Sequence, residues 1–452
     1  MDTEKFRPYT ARTFIDSAYW HKLPYELQES LLVISKVLPF RTNEYVLRHL
    51  INWENIPNDP IFRLVFPHRD MLREEEYMQL HDLVLGKKDD ARASALVQRI
   101  RMHMNPHPAG QLTHNIPYLD GRPLQGLQHK YGQTVLFFPS AGQTCHTYCT
   151  FCFRWPQFVG IEKLKFNTRE ADELVEYVRR HEQVTDILIT GGDPMVMNAS
   201  TLAGYIKPLL NIPHLQNIRI GTKSVASWPQ RFVTDKDADD VLRLFERVVA
   251  SGKSVSIMAH FSHPVEMSTE IARQALRRII STGANIRMQS PIVRHVNDNA
   301  SCWSEMWRTG VRLGVVPYYM FVERDTGPYN YFKLPLIQAH SIFKQAYEQV
   351  SGLARTMRGP SMSTHPGKVL IDGVAEILGE KVFVLQFLQA RNSEWVRKPF
   401  FAKFDENACW LDELRPAFGA KKFFYEEDAS ATLRLEPAPG EETAMKPREY
   451  AL

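Results

Sequence analysis

Six short runs of β-branched and aromatic residues recur between positions 134 and 321, and a longer amphipathic segment follows each of them. The runs cover 134–140, 186–190, 217–220, 254–259, 285–289 and 316–321. After the first interval their starts lie 31 to 37 residues apart, which is the length of one strand–helix unit. Repeated units of this kind predict parallel strands that curl into a partial barrel, with functional residues at the carboxyl ends of the strands.

Three of the five cysteines lie within eight residues, directly after the first of these runs. Cys145, Cys149 and Cys152 have C-x3-C-x2-C spacing. Three thiolates on one short loop can ligate three irons of a [4Fe-4S] cluster and leave the fourth iron open to another ligand. Because the loop follows a strand of the predicted barrel, we expect it at the functional edge.

Three other interpretations of the cysteine cluster stay open at this point. A structural zinc site needs four ligands, so His146 would have to be the fourth. A disulfide framework is typical of short secreted chains and does not suit a long chain with an odd number of cysteines. The third interpretation is a chance grouping of buried thiols.

Composition limits the class of partner and the location. The formal net charge is 55 − 51 = +4, and charges of both signs are mixed along the chain, so nothing favours nucleic acid. No apolar stretch is long enough to cross a bilayer, and the first ten residues lack the apolar run of a signal peptide. We therefore expect a soluble cytoplasmic protein without a membrane partner, and the isolated Cys302 and Cys409 agree with a reducing compartment.

The order of patterns along the chain predicts an α/β protein with four parts. Residues 1–115 form a helical N-terminal segment, and residues 116–368 form a partial (β/α)6 barrel of the TIM type. Residues 369–426 form a small β-containing C-terminal extension. Residues 427–452 are rich in Glu, Ala and Pro and are predicted to be a disordered tail.

From about Tyr131 to Lys368 the chain resembles the lysine 2,3-aminomutase family of radical S-adenosylmethionine (SAM) enzymes. The residues that carry the resemblance are the three cysteines, the aromatic Phe151 before the third of them, and the Thr-Gly-Gly-Asp-Pro segment at 190–194. The resemblance implies a radical SAM barrel that binds a [4Fe-4S] cluster, SAM and pyridoxal 5'-phosphate (PLP). It also implies transfer of an amino group between adjacent carbons of an amino acid.

The resemblance further implies roles for residues near the cluster. Cys145, Cys149 and Cys152 would ligate the cluster, and Phe151 would pack against the adenine of SAM. Gly191, Gly192 and Asp193 match the segment that lies near the SAM amino group. Arg154 matches the arginine that binds the substrate α-carboxylate, a task for which a guanidinium suits because it forms two parallel hydrogen bonds.

The PLP residues implied by the resemblance lie in three other parts of the chain. Lys368 corresponds to the lysine that binds PLP covalently, Tyr131 to the tyrosine that stacks on its ring, and Lys130 to a phosphate-binding arginine. Gln289 is retained on the fifth predicted strand. The chain departs from the family at Thr134, which replaces a second such arginine, and in the loop before Lys368, where one glycine remains.

Two positions bear on which amino acid is the substrate. Arg324 and Ser361 lie where lysine-specific members have aspartates that bind the distal ammonium. A guanidinium there would repel an ammonium group, so we expect an acidic or otherwise non-cationic substrate, such as a glutamate-like amino acid. Alternatives are a PLP-independent radical SAM enzyme, a lysine 2,3-aminomutase, or a non-enzymatic iron-sulfur or zinc protein. The resemblance also implies an electron donor such as flavodoxin or ferredoxin, and it is compatible with a homo-oligomer.

Overall fold

The computed structural model describes residues 5–106, 115–160 and 165–427, and its central feature is one eleven-stranded sheet. The strands of the sheet are β5 (Leu127–Tyr131), β6 (Thr134–Phe137), β7 (Asp186–Ile189), β8 (Asn217–Thr222), β9 (Ser254–His260), β10 (Asn285–Ile292), β11 (Val315–Val322), β12 (Arg358–Ser363), β13 (Gly367–Ile377), β14 (Glu380–Ala390) and β15 (Pro399–Lys403). Four short strands, in two separate pairs, precede them: β1 (Pro8–Thr10), β2 (Arg41–Asn43), β3 (Tyr118–Leu119) and β4 (Arg122–Pro123).

Strands β6 to β12 pair in parallel and in chain order. The six strands predicted from the repeat are β6 to β11, and each starts within one residue of its predicted position. Parallel pairing in chain order brings the carboxyl ends of all these strands to one edge. The predicted α/β barrel architecture is therefore confirmed, and the sequence pattern missed the seventh parallel strand, β12.

The helices of the described residues follow the predicted alternation in the barrel. In chain order they are α1 (Ala11–Phe14), α2 (Tyr25–Ile34), α3 (Pro60–Val65), α4 (Glu74–His81), α5 (Asp90–His103), α6 (Ala171–Arg180), α7 (Ala199–Ile206), α8 (Ser224–Ser227), α9 (Ala238–Ala250), α10 (Glu270–Ser281), α11 (Ala300–Arg312), α12 (Tyr329–Phe332), α13 (Leu336–Glu348) and α14 (Phe424–Glu427). Side-chain caps define several starts: Thr269 accepts a hydrogen bond from the backbone N–H of Ala272, and Asn299 from that of Cys302. No helix among these is both long and apolar enough to cross a membrane.

The N-terminal segment packs its own apolar core directly onto the barrel. Phe14, Tyr45 and Phe66 are buried in this core together with Phe151 and Trp155, which belong to the cysteine loop. Burial of large aromatic side chains contributes roughly 2 to 3 kcal/mol each. The segment is thus fixed against the loop that carries the candidate ligands.

The C-terminal extension continues the sheet of the barrel without a break. Strand β13 pairs antiparallel with β12, and β14 and β15 follow in the same antiparallel manner. Lys368 lies on β13, so the lysine belongs to the first strand of this extension. The division of the chain into domains stays a prediction, and the predicted tail from position 428 onward lies outside the described residues.

Candidate active site

The cysteine loop is anchored by backbone contacts with the N-terminal segment. The N–H of Tyr148 donates to the carbonyl of Arg41 (2.9 Å), and the N–H of Thr150 donates to the carbonyl of Leu64 (2.8 Å). The Thr150 hydroxyl also donates to the carbonyl of Arg63 (2.9 Å). These bonds satisfy polar groups of a loop that has no strand or helix of its own, and they fix the backbone between the three cysteines.

Asn43, on β2, makes the most extensive side-chain contact to this loop. Its Nδ2 donates to the hydroxyl of Thr147 (2.9 Å) and to the carbonyls of His146 (3.3 Å) and Ser227 (3.0 Å). Its Oδ1 accepts from the N–H of Val46 (3.1 Å). Asn43 is fully buried, so this one amide joins the N-terminal segment, the cysteine loop and the end of α8.

The three thiols are half-buried, and they lie close enough that the charge of one changes the pKa of another. Burial raises the pKa of each, to about 12 for Cys149 and about 11 for Cys152. The thiol of Cys152 raises the pKa of both others, which places the three around a common space. A metal or iron-sulfur ligand must be a thiolate, so the site needs nearby positive charge to form.

Each thiol has a different cation beside it. Arg41 lowers the pKa of Cys145, Lys223 that of Cys149, and Arg154 that of Cys152, in each case against the stronger effect of burial. The three cations come from β2, from the end of β8 and from the cysteine loop itself. A cationic group beside every thiol fits ligation of a [4Fe-4S] cluster by Cys145, Cys149 and Cys152.

His146 does not complete a set of ligands for zinc. Its Nδ1 shares a hydrogen bond with the hydroxyl of Ser224 (2.9 Å), and its ring packs between Phe6 and Trp228. Burial lowers the pKa of His146 to about 3. Within the described residues, no three His, Cys, Asp or Glu side chains form a group that could hold a single ion. Because His146 bonds to Ser224, the three thiols lack an evident fourth ligand for zinc among the described residues, and three thiols suit the open form of a [4Fe-4S] cluster.

The two glycines after β7 pack against the cysteine loop. A Cβ on Gly192 would come within 2.6 Å of the Thr144 carbonyl oxygen, and one on Gly191 would meet the Gln143 side chain. Gly191 also has a φ of +145°, which side chains rarely adopt. The close approach in this structure is thus between two protein segments, while the predicted contact of these glycines with SAM stays a prediction.

Asp193 is buried and holds the carboxyl ends of β7 and β8 together. Its carboxylate accepts hydrogen bonds from the Thr222 hydroxyl (2.6 Å), the Lys223 N–H (2.9 Å), the Ser224 hydroxyl (3.0 Å) and the Met195 N–H (2.9 Å). Burial is the main influence and raises its pKa. The charge of this carboxylate raises the pKa of Cys145, so Asp193 lies beside the cysteine loop. Its contact with the SAM amino group stays a prediction.

Phe151 forms part of the wall next to the cysteines. The ring is buried, stacks on His260 with a centroid distance of 5.9 Å, and meets Phe332 edge-on at 5.9 Å. Burial and the Lys223 charge lower the pKa of His260 well below its ordinary value, so that ring is neutral. Two neutral aromatic faces supply an apolar surface, and packing of Phe151 on adenine stays a prediction.

Arg154 is half-buried, with its Nε fully enclosed, and has no carboxylate partner among the described residues. Its Nη2 donates a long bond to the side-chain oxygen of Gln143 (3.5 Å), and its Nε has no partner. The guanidinium carbon lies 4.4 Å above the Phe138 ring. Burial lowers its pKa to about 10, so the group stays charged at neutral pH. A half-buried guanidinium without a counter-ion can bind a carboxylate.

Lys368 is enclosed by aromatic rings and by other cations. Its Nζ donates to the side-chain oxygen of Gln389 (3.1 Å) and lies 4.1 Å from the Tyr319 ring centre. Burial, followed by the charges of Arg219 and Arg358, lowers its pKa to about 7. A substantial fraction of the amine is therefore neutral at neutral pH, which is the form that attacks an aldehyde. This chemistry fits covalent attachment of PLP at Lys368.

The other residues predicted to bind PLP lie near Lys368. Lys130 donates to the carbonyl of Thr364, four residues before Lys368, and its pKa is lowered well below the ordinary value by burial and nearby cations. Tyr131 interacts electrostatically with Tyr319, and Gln289 pairs with Tyr319 across β10 and β11. The structure thus brings Lys130, Tyr131 and Gln289 to the side of the barrel that carries Lys368.

The two residues predicted to contact the substrate side chain differ in their exposure to solvent. Arg324, just after β11, is accessible to solvent, and its guanidinium carbon lies 5.2 Å from the Phe153 ring centre. Ser361 on β12 is fully buried, and its hydroxyl donates to the Met320 carbonyl (3.4 Å). Arg324 is therefore available to a ligand, whereas the hydroxyl of Ser361 bonds within the sheet; both roles stay predictions.

Several residues near the site carry no recognisable sequence signal. Asn43 and Arg41 lie in a segment to which no chemistry was assigned, and Arg391 lies beyond the last predicted site residue. Glu323 is 4% exposed, and burial raises its pKa well above the ordinary value. Its charge raises the pKa of Cys149 and of Cys152, so it lies near both thiols. Only Glu323 had a signal, because it adjoins Arg324 at the end of a predicted strand.

Comparison with known proteins gives relatives along nearly the whole chain, although no protein-family model matches it. The chain is 31% identical over 402 residues to an Aquifex aeolicus protein named "Putative L-lysine 2,3-aminomutase", and the match covers 88% of this chain and 94% of that one. It is 28% identical over 232 residues to the L-lysine 2,3-aminomutase of Bacillus subtilis, covering 51% and 46%. Among solved structures, Streptococcus suis SuiB bound to S-adenosylmethionine has 10% identity and a TM-score of 0.36, covering 61% of this chain and 57% of that one.

Proposed function

The chain belongs to the radical SAM lysine 2,3-aminomutase family, and on that premise we propose that it moves the α-amino group of an acidic or otherwise non-cationic amino acid to the β-carbon. Enzymes of this family are radical SAM aminomutases that use a [4Fe-4S] cluster, SAM and PLP. When bound, the cluster and SAM supply a carbon radical that abstracts hydrogen, and PLP supplies the conjugated system that lets nitrogen migrate.

The observation that carries the proposal is the position of Arg324 between the two halves of the site. Its guanidinium lies over Phe153, the residue after Cys152. On its other side it acts electrostatically on Lys130 and Tyr131, and Lys130 in turn interacts with Lys368. This continuity supports one recess with the cluster thiols on one wall and the PLP lysine on the opposite wall.

We assign the α-carboxylate of the substrate to Arg154. Its Nε lacks a hydrogen-bond partner, and its guanidinium is fixed over Phe138 beside Cys152. A carboxylate bound there would supply the missing acceptor and neutralise a buried charge. It would also hold the β-carbon of the amino acid near the cluster, where hydrogen abstraction starts.

We assign the side chain of the substrate to the neighbourhood of Arg324. Two like charges at about 4 Å repel by roughly 4 kcal/mol at an effective dielectric constant of 20. Lys130 lies on the same side of the recess, so an ammonium would meet two cations there. A carboxylate or an uncharged side chain avoids this repulsion, which supports an acidic or non-cationic substrate.

A second candidate is a cationic amino acid such as lysine, and Glu323 is the observation that favours it. Glu323 is buried beside Cys149 and Cys152, and no hydrogen bond or ion pair fixes its carboxyl group among the described residues. An ammonium placed against Glu323 would favour its ionised form and gain a partner. The two candidates therefore differ in whether the side chain of the substrate reaches Arg324 or Glu323.

The protein's own residues bind, orient and exclude water. Arg154 and Arg324 would hold the two ends of the amino acid, and the neutral fraction of Lys368 would supply the amine that attaches PLP. Phe151 and Tyr319 form apolar walls that limit access of water. Orientation and water exclusion are what a radical migration requires from the protein, because a free radical that meets solvent or a wrong bond is lost.

The proposal includes a setting and partners. A reducing, cytoplasmic location would preserve the cluster, and a one-electron donor such as flavodoxin or ferredoxin would reduce it. Assembly into a homo-oligomer is part of the same proposal.

The test is an amino acid screen with anaerobically reconstituted enzyme, SAM, PLP and dithionite. Glutamate, aspartate, alanine and lysine are supplied separately, and β-amino acids and 5'-deoxyadenosine are quantified by mass spectrometry. We expect an acidic substrate to give the highest kcat/KM, and Arg324→Gln to lower it about 10- to 100-fold.

Arg308→Gln, on the solvent side of α11, is the matched control and is expected to change nothing. Preference for lysine, with loss of activity in Glu323→Gln and not in Arg324→Gln, would replace the first candidate by the second. SAM cleavage without any Lys368-dependent turnover would reject the aminomutase proposal.

A further inference from the structure

We propose that Arg391, from the C-terminal extension, binds the phosphate of PLP together with Lys130. The site would take a phosphate monoester dianion. This inference rests on the proposed function in one respect, the use of PLP. It adds a residue that lies outside the barrel and that the motifs do not indicate.

Arg391 is fixed against the loop that leads to Lys368. It follows β14 directly, its N–H donates to the carbonyl of Pro366 (3.0 Å), and its Nε donates to the carbonyl of His365 (2.8 Å). Its Nη2 donates to the side-chain oxygen of Asn115. The guanidinium therefore has a fixed position beside the lysine loop.

The charge of Arg391 has no counter-ion in the part of the chain that the structure describes. The residue is 8% exposed, and burial lowers its pKa. The charge of Arg391 also lowers the pKa of Lys130 and of Tyr131, so it lies near the residues expected to contact PLP. A buried guanidinium that lacks a carboxylate is costly unless an anion occupies the adjacent space.

Lys130 likewise lacks a counter-ion among the described residues, and it contacts the same loop before Lys368. Its Nζ donates to the carbonyl of Thr364, and none of the described carboxylates pairs with it. Thr364 and His365 are consecutive, so the two cations bond to adjacent carbonyls and converge on one short segment. Two converging, uncompensated cations form a site for a doubly charged phosphate.

The cations nearest to Lys368 are less suited to this role. Arg219 already has a counter-ion, because it forms a bidentate ion pair with Asp186. Arg358 is stacked against Tyr318 and Tyr319, with its guanidinium carbon 4.3 Å from each ring centre. Arg391 and Lys130 are the pair whose shared loop and missing counter-ion point to the phosphate.

The experiment compares PLP with pyridoxal, which has the same aldehyde and lacks the phosphate. Dissociation constants are measured by the absorbance of the Lys368-dependent complex, for the wild type, Arg391→Gln, Arg391→Lys and Arg397→Gln. Arg397 is an exposed arginine of the same extension and is the matched control. Circular dichroism and thermal unfolding confirm that each variant is folded.

We expect Arg391→Gln to weaken PLP about 10- to 100-fold and to leave pyridoxal within about twofold. Arg391→Lys retains the charge and should recover part of the loss, while Arg397→Gln should match the wild type. Equal weakening of PLP and pyridoxal in Arg391→Gln would mean that the arginine only supports the loop, and would overturn the inference. Unchanged PLP affinity would overturn it as well.

Failure of this inference is separable from failure of the proposed function. Lys368→Met should abolish the complex with both aldehydes, because it removes the reacting amine and keeps a similar side-chain volume. If the wild type forms a Lys368-dependent complex and Arg391→Gln binds PLP equally well, the inference fails and the function stands. If the wild type forms no such complex, the assignment of PLP to this site fails first.

Discussion

The surroundings of the cysteine loop and of the Lys368 loop differ in how their charged side chains are paired. Beside the cysteines, Lys223 forms a 2.6 Å ion pair with Glu266, which is almost fully buried, and Asp193 adds a second carboxylate. Beside Lys368, the cations Lys130 and Arg391 pair with no carboxylate of the described residues. Beside the cysteines, Lys223 has a counter-charge, although Arg154 has none among the described residues. Beside Lys368, neither Lys130 nor Arg391 has one, so the need for an anionic ligand is greater on the lysine side.

The two loops are alike in being held by segments outside the barrel. Asn43, in the N-terminal segment, fixes the cysteine loop, and Arg391, in the C-terminal extension, fixes the loop before Lys368. Each support is a side chain that donates to loop carbonyls. The barrel strands thus bring the reactive groups together, and the flanking segments determine their positions.

The largest effect should follow removal of a cluster ligand. Cys145→Ala is expected to abolish cluster binding and all SAM cleavage, because two thiolates cannot hold the cluster in its open form. Cluster binding is measured by the iron and sulfide content after anaerobic reconstitution, and SAM cleavage is measured by the formation of 5'-deoxyadenosine. Cys302→Ala is the control, since Cys302 is buried in the helix α11, away from the loop. Full iron content in Cys145→Ala would contradict the assignment.

Lys368→Met should affect only the lysine side. We expect complete loss of covalent PLP attachment and of aminomutase turnover, while iron content and reductive cleavage of SAM stay near wild type. The reason is that the hydrogen bond of Lys368 is to Gln389 on β14 and not to the cysteine loop. Lys381→Met, on the same hairpin over Phe404, is the control. Loss of the cluster in Lys368→Met would show that the two sides are not separable.

Asn43→Ala should destabilise the cysteine side by a smaller amount. Removal of the amide leaves buried carbonyls of His146 and Ser227 without a donor, which costs about 3 kcal/mol in the free energy of unfolding. Asn52→Ala removes an exposed helix cap in the same segment and should cost about 1 kcal/mol. Denaturant unfolding and iron content measure the difference. Equal costs, with unchanged iron content, would contradict the supporting role of Asn43.

The sequence was sufficient to predict the parts of the fold that depend on local pattern. The strands β6 to β11 alternate with amphipathic helices, and that period is visible without a structure. It was insufficient where contacts are remote: Asn43 and His146 are separated by 103 residues, and Arg391 and Asn115 by 276. No local pattern marks such pairs, so the roles of both flanking segments became visible only in the structure.

The motifs near the cysteine loop also have contacts in the structure that no local pattern indicates. Gly192 is predicted to lie near the SAM amino group, and in the structure it also packs closely against the Thr144 carbonyl. Asp193 belongs to the same predicted segment, and its carboxylate accepts hydrogen bonds from four donors of the protein. A motif indicates that a small or acidic residue is needed at a position. The contacts with neighbouring loops, which only the structure shows, explain part of that need.

The smallest predicted effect concerns the pH at which Lys368 reacts. Its pKa of about 7 means that the neutral amine increases as the pH rises through neutrality, so the rate of PLP attachment should increase over the same range. Arg358→Gln removes a cation that disfavours the protonated amine. The pKa of Lys368 should therefore rise, and the rate profile should move to higher pH, so attachment at pH 7 becomes slower.

Two controls determine whether charge or packing causes that shift. Arg358→Lys retains the cation and should keep the profile of the wild type. Arg287 also stacks on Tyr318, at 5.5 Å, but it is not among the groups that act on Lys368, so Arg287→Gln should leave the profile unchanged. An equal shift in Arg287→Gln would assign the effect to the stack of aromatic rings. Because burial is the largest cause of the lowered pKa and persists in every variant, the profile of Arg358→Gln should still lie well below that of an exposed lysine.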